Sequence, residues 1–466
     1  MLYLKRKRKF RKDRIESTMH MKRIDFENGT ITGNILGAAL PMLVAQILNL
    51  LYNIVDRIYI ARIPEIGTAA LGAVGLCFPI IVIITAFSNL FGTGGAPLFS
   101  IFRGKKDPDT ARRIMNTSFT MLCVCAMVLM AVGFLFARPI LILFGASAEA
   151  IIYAYPYMML YLIGTLPSMI AVGMNPFINA QGYSSIGMLS VAIGAGTNLV
   201  LDPLFIFALG LGVRGAAIAT VIGQISALLL YIIVYRRNSY AVHISFKHLV
   251  FDKAIIRQIY SVGIPSTVMM LLPSILISVL NSILTAFSDV YVAVLGVYFK
   301  LQTFIYMPAN GIVQGMRPII GYNYGAGESS RVKSTIRYSL LTAAGLMLTG
   351  TILALALPKQ ILALFDADAA LMSAGVTALR IISLGFLVSS VGLIYSGVFE
   401  AIGNGRNSLI ISLLRQFVIT IPLSFILTRF FGPTGVWISF PVGELCASAA
   451  AFCLLKKYQN GAFSPL

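Results

Sequence analysis

Two aspartates, Asp56 and Asp202, stand inside otherwise apolar stretches in the first half of this 466-residue chain. A carboxylate in such a setting cannot face lipid, where a charge is costly, so it must face a protein interior or a watery cavity. Asp202 belongs to GAGTNLVLDPLFIF (194–207), with Asn198 one helical turn earlier on the same face. Pro203 follows and interrupts the backbone ladder, freeing carbonyls nearby. The next apolar stretch, VRGAAIATVIGQ (213–224), offers Thr220 and Gln224, again one turn apart. Asp56 closes a third stretch, ILGAALPMLVAQILNLLYNIVDRIYIA (35–61), in which Gln46, Asn49, Asn53 and Asp56 step by three, four and three onto one helical face. Two carboxyls with amide and hydroxyl oxygens suit a proton or a small hard cation. Na⁺ accepts such a loose oxygen cage, whereas Mg²⁺ keeps more waters. The same polar residues would also serve as interhelical hydrogen-bonding glue, a reading that fits Thr220 and Gln224 alone equally well.

Other chemistries find little support. The chain has three histidines, His20, His243 and His248, all outside the apolar runs, so neither a Ser-His-Asp set nor a metal-protease motif can form within them. Cys77, Cys123, Cys125, Cys446 and Cys453 lie in apolar segments without metal-ligand spacing and read as buried free thiols. GTGGAP at 92–97 is glycine-rich but lacks the Lys-Ser/Thr of a nucleotide loop, which argues against an ATP-driven pump. Neither an enzyme nor a bound cofactor is expected.

The elements that hold these residues are membrane helices. The chain is 58% apolar and 11% charged, with a mean hydropathy of +0.86, against about 25% charged residues in soluble domains. Long apolar runs with short polar punctuation exclude a β-barrel, whose strands alternate. Twelve spans are expected, at about 35–61, 69–101, 114–137, 149–172, 186–209 and 213–235, then 255–287, 290–320, 335–357, 370–399, 407–430 and 434–455. ILILFGAS (140–147) recurs as ILALFDAD (361–368), LGAV (71–74) as LGVY (295–298), FINAQG (177–182) as FEAIG (399–403), and Pro41 as Pro265. The offset stays near 221–224, so the halves form a parallel repeat about an axis along the membrane normal. Pro41, four turns from Asp56, removes a backbone hydrogen bond and can act as a hinge. In the second half, VGIPSTVMMLLPSILISVLNSIL (262–284) carries no acid, so the ion chemistry is expected in the first half. Glu400 falls near the end of its span. Arg380 and Arg415 read as structural, and Lys300 is open.

The formal charge of +19 is unevenly placed. Ten Lys or Arg fall in the first 23 residues, and most others border the spans on one side of the membrane. That is the positive-inside pattern rather than a basic groove for nucleic acid. It places both termini and the link 236–254 in the cytoplasm. The expected organisation is a basic tail (1–34), a first lobe of six spans (35–235), the link, a second lobe (255–456) and a short tail (457–466). No cleavable signal peptide is visible, and the segment before Met19 or Met21 also reads as an upstream start-site extension.

ALPMLVAQILNLLYNIVDRIYIA (39–61), GTGGAPLFSIFRGKKD (92–107), NPFINAQGYSSIGM (175–188), NLVLDPLFIF (198–207) and QGMRPIIGYNYGAG (314–327) occur in order across nearly all the apolar chain. Together they resemble the MATE (multidrug and toxic compound extrusion) transporters, and most closely the MepA-like bacterial branch, with a first-lobe cation site of the DinF-like type. The resemblance implies an all-α fold of twelve helices in two six-helix lobes. It also implies export of amphipathic, often cationic drugs in exchange for inward H⁺ or Na⁺, in the inner or plasma membrane, with no obligate protein partner. By the same resemblance Asp56, Asn198, Asp202 and Thr220 hold the coupling ion, Gln46, Asn49, Asn53 and Gln224 line the polar cavity, and Pro41 is the bending point. The helix 7 and helix 10 acids of another bacterial branch are missing; Pro273 and Ser389–Ser390 stand near those places. A lipid-linked oligosaccharide flippase is the alternative within the superfamily, and would favour a cavity rich in Arg and Lys. A membrane-embedded transferase would need a histidine or a carboxylate cluster at an interface, and a channel would not require kinkable repeats.

Overall fold

The computed structural model describes residues 23–237, 252–365 and 367–462, with the side chains of 235–237 and 459–462 excepted. Most of the basic tail, most of the central link and the histidines at 20, 243 and 248 lie outside the described residues. Within them the chain is helical throughout. The first half holds α1 (Ile31–Ala61), α2 (Gly67–Gly104), α3 (Pro108–Leu143), α4 (Ala148–Ile163), α5 (Thr165–Ala180), α6 (Ser184–Pro203) and α7 (Gly212–Arg237). The second holds α8 (Lys253–Thr285), α9 (Asp289–Gly325), α10 (Ser329–Ala356), the short α11 (Pro358–Ala363), α12 (Ala369–Ala401), α13 (Gly405–Leu413), α14 (Ile421–Phe431) and α15 (Thr434–Ala462). Among the described residues eleven helices, or twelve spans when the pair α4–α5 bent by 56° counts as one, are long and apolar enough to cross a membrane.

Helix ends follow local chemistry. Asp107 caps α3 by accepting from Thr110 N at 3.0 Å, with Pro108 pre-set for the first turn, and Asp252 and Asp368 cap α8 and α12 in the same way. Most helices run longer than the hydropathy spans, most of all α3 and the α4–α5 pair, because they extend past the apolar run into polar turns.

Two large hydrophobic cores organise the bundle, with a smaller third one between α5, α6 and α7. One gathers residues from α2 to α7, the other residues from α8 to α15. The first helix of each half crosses over. Ile35 and Ala39 of α1 are buried in the second core, and Ile255 and Ile259 of α8 in the first. The crossings are tight because glycines meet backbone there. Added methyl groups at Gly263 and Gly315 would come within 2.1 Å of Leu90 O and 2.6 Å of Ala39 N. GTGGAP serves the same purpose, since Gly92 meets Gly173 and Gly94 meets Ile259 and Gly263, so it is packing surface rather than a phosphate loop.

These contacts form a seam at the end of the bundle where α1 and α8 begin and α2 and α9 finish, which is also the basic end. Residues 24–29 lie across it as a strap. Ile24 N donates to Gly182 O of the first half at 3.0 Å. Phe26 is buried in the second core, and its carbonyl accepts from Asn323 and Arg331. Glu27 accepts from the Tyr322 hydroxyl at 3.0 Å and pairs with Lys106 at 3.6 Å. Arg103 donates to Ala180 O and lies over the Tyr322 ring.

Candidate functional site

The polar residues of α1, α6 and α7 converge inside the first half. Asn198, Asp202 and Thr220 are 2%, 0% and 6% exposed, although no soluble-protein logic would bury them among apolar helices. The Asn198 amide nitrogen donates both to Asp202 Oδ1 at 3.2 Å and to Thr220 Oγ1 at 3.1 Å. Thr220 in turn donates to Ala216 O at 2.9 Å, so its hydroxyl proton is committed and its lone pairs face the site. Asp56, half-buried at the far end of α1, brings its carboxyl within hydrogen-bonding reach of that of Asp202. One oxygen of each, Asp56 Oδ1 and Asp202 Oδ2, is buried without a donor.

Immediately after Pro203 the chain runs as a π-helical turn, Leu204–Ala208, which widens the helix where the proline breaks its ladder. Arg57 does not neutralise Asp56; it points outward over the Phe78 ring, 5.7 Å from its centre. No lysine or arginine side chain is paired with either aspartate among the described residues. Two carboxyls in contact, with amide and hydroxyl oxygens and no fixed cation, must share a proton or hold a cation between them. The acids, the amide and the hydroxyl thus meet from three different helices.

The expected four-residue face on α1 divides in two. Gln46 is half-buried with its amide nitrogen unpaired, whereas Asn49 and Asn53 are exposed and Asn53 donates to Asn49 O at 2.7 Å. Angle does not separate them: at about 100° per residue Asn49 and Asn53 fall between Gln46 and Asp56 around the helix, so the division is set by what packs against each level of α1. Gln224 stands beside the site, with Oε1 against Gly164 at the α4–α5 bend and next to the Tyr161 hydroxyl. α1 is a single helix through Pro41. Sequence reasoning missed three tyrosines around the acids. Tyr52 reaches Thr220, and Tyr157 and Tyr161 stack at 6.1 Å near Asp56. Their spacing was the available signal, since Tyr52 precedes Asp56 by four residues and Tyr157 precedes Tyr161 by four.

A model of the MatE family matches residues 41–204 and again 265–426, two copies at the offset that the repeats show. The chain belongs to the MatE family. It is therefore a multi-pass membrane transporter and not an enzyme. It is 28% identical to the multidrug export protein MepA of Staphylococcus haemolyticus over 92% of this chain and 94% of that one. The fold is that of solved MATE structures. One, MATE in the bent conformation, superposes with a TM-score of 0.88 at 24% identity, covering 95% of this chain and 98% of that one. Another, described as the outward-facing conformation of a multidrug resistance MATE family transporter, gives 0.86 at 24% identity, covering 96% and 99%.

The MatE repeat is visible in side-chain packing as well. Gly223 lies against Asn198 in the first half, and Gly443 against Thr420 in the second. By that correspondence Asn198 and Asp202 map to Thr420 and Ser424, and the Pro41–Pro265 offset maps Asp56 to Leu280. Ser424 shares a 2.7 Å hydrogen bond with Ser439, and Leu280 is fully buried, so the second half carries no carboxylate pair at the matching place. It does carry ions elsewhere. Glu400 is buried and pairs with Arg317 at 2.7 Å, and Arg415 pairs with Glu444 at 3.8 Å. Glu444 had not been singled out in the sequence. Arg380 and Lys300 are exposed.

Proposed function

We propose that this transporter is a secondary active exporter of amphipathic, often cationic compounds, exchanging them for inward H⁺ or Na⁺ at Asp56, Asn198, Asp202 and Thr220. The observation that carries this reading is the meeting of two carboxyls with no fixed counter-ion inside a membrane bundle. A cation shifts a conformational equilibrium only by binding one state better, and a carboxyl pair split between two helices supplies that difference. With the cation bound, α1 is drawn to α6; without it, charge repulsion pushes Asp56 from Asp202.

The consequence reaches the seam through one helix. The Asp56 end of α1 belongs to the first lobe, whereas Ile35 and Ala39 at its other end are built into the core of the second. Pro41 stands between these two attachments and is the natural point of flexure. In this reading the two six-helix halves are the lobes that rock, and the sealed basic end is cytoplasmic, so the structure is outward-facing. The membrane is the plasma membrane, with both termini inside. Exposed Asn49 and Asn53 then face the drug cavity. The flippase alternative loses support because Arg317 is tied to Glu400 at 2.7 Å.

The test is ethidium efflux from proteoliposomes under an imposed pH gradient or an imposed Na⁺ gradient. One gradient should drive efflux, and Asp56→Asn should abolish it without impairing folding. Gradient-driven efflux from the Asp56→Asn protein at the wild-type rate would sink the assignment.

A further inference from the structure

The second lobe holds a buried acid that the proposed coupling site does not use. Glu444 of α15 is 8% exposed and packs on Gly385 of α12. Among the described residues its only charged partner is Arg415, whose Nη1 lies 3.8 Å from Oε1, longer than a hydrogen bond, and Oε2 has no partner. Among the described residues the titratable or charged groups facing it are Tyr298 and Tyr306 from α9 and Arg415 from the α13–α14 helix. Tyr306 donates its own proton to Ser389 Oγ at 2.8 Å, so it does not supply the missing donor.

The position is the repeat counterpart of Gln224. VRGAAIATVIGQ (213–224) aligns with PTGVWISFPVGE (433–444), pairing Gly215 with Gly435, Gly223 with Gly443 and Gln224 with Glu444. Gln224 lies against Gly164 and Glu444 against Gly385, a pair at the same offset as the repeats. The second half has thus put an acid where the first has an amide.

Arg415 is placed to come and go. It lies in a π-helical stretch, Leu414–Thr420, whose wider turn permits a change of register, and Thr420 Oγ1 reaches back to the Arg415 carbonyl. The Arg415 side chain is 25% exposed, against 11% for Glu444, so the guanidinium has open surface to move across whereas the carboxyl is enclosed. A buried carboxylate left by its cation must be neutralised in place, and a proton does so without any further ligand.

We propose that Glu444 is a second proton carrier in the other lobe, with Arg415 as the internal cation that leaves when Glu444 takes up its proton. Proton uptake forms the Glu444 O–H bond and frees the guanidinium; return of Arg415 expels the proton. The inference rests on the exporter reading above but not on its Asp56 site.

The measurement is the H⁺-to-ethidium stoichiometry from reversal potentials in proteoliposomes, for wild type, Glu444→Gln, and the double variant Arg415→Gln with Glu444→Gln. The double variant removes both buried charges, so it remains informative if the single one folds poorly. Both variants should carry one proton fewer per ethidium, lowering the limiting accumulation ratio about tenfold per pH unit. Wild-type stoichiometry in the double variant, with changes only in rate or yield, would make the pair a structural ion pair and overturn the proposal. A wild-type reversal potential set by Na⁺ alone would also overturn it, while leaving the Asp56 reading intact. Failure of that reading shows separately, as coupled efflux surviving in Asp56→Asn.

Discussion

Replacing Gly263 with alanine puts a methyl group on the seam where α2 and α8 touch. The new carbon would stand 2.1 Å from Leu90 O and 3.0 Å from Leu90 C. Ordinary carbon–oxygen contacts begin near 3.3 Å, so one helix must retreat by about 1 Å. Both neighbours are backbone, and the facing Gly94 is itself held 2.7 Å from Ile259 O by the same measure, so no side chain can yield instead. Overpacking of this kind costs about 1–3 kcal/mol. The cost falls only on the arrangement in which the seam is closed, so the ratio of closed to open states should drop by about 5- to 150-fold. Spin labels replacing Arg113 and Arg406, at the basic end on opposite lobes, would report this as a longer distance population by double electron–electron resonance. Gly345→Ala is the control, since an added methyl there meets nothing within 4 Å. An unchanged distance distribution in folded Gly263→Ala protein would refute the argument that this seam governs which end is open.

The strap makes two further tests. Arg331 donates to Phe26 O at 3.1 Å, Gly29 O at 2.7 Å and Asn323 Oδ1 at 3.0 Å, so Arg331→Ala should release residues 24–29. Hydrogen exchange there should speed by at least tenfold, since a bond to a charged group contributes about 1.5–3 kcal/mol, and wild-type protection would contradict the contact scheme. The pH dependence of the strap should be confined to acid. Asp25 accepts backbone N–H bonds from Asn28 and Glu27, which hold its carboxyl below the usual 3.8. Its contribution is therefore whole above the ordinary carboxylate range and lost as pH falls through the lowered value. Strap protection, corrected for intrinsic exchange, should stay flat from neutral pH down to about pH 4; a loss beginning near neutrality would point to another group.

Much of the buried polar cluster was readable in one dimension. Burial inside an apolar run is itself a signal, so Asp56, Asn198, Asp202 and Thr220 stood out by type and spacing. Tyr52, Tyr157 and Tyr161 did not, because an aromatic in a membrane span is ordinarily packing. Glu444 was missed although it stands midway along the last span, where an acid in an apolar run is the same signal that marked Asp202. The four-residue face of α1 was over-read because a helical wheel gives angles but not which neighbours cover each level of the helix.

The sequence by itself determined that this is a helical membrane protein, roughly where its spans lie, that the halves repeat in parallel, and that Asp56 and Asp202 stand in apolar surroundings. Those properties follow from hydropathy, periodicity and residue type, which are local. Only the tertiary structure decided that Asp56 meets Asp202 across two helices, that α1 and α8 each belong partly to the opposite core, and that residues 24–29 strap the basic end. Such contacts join residues far apart in the chain through glycine approaches and shared carbonyls, and no local pattern encodes which backbone a given glycine will touch.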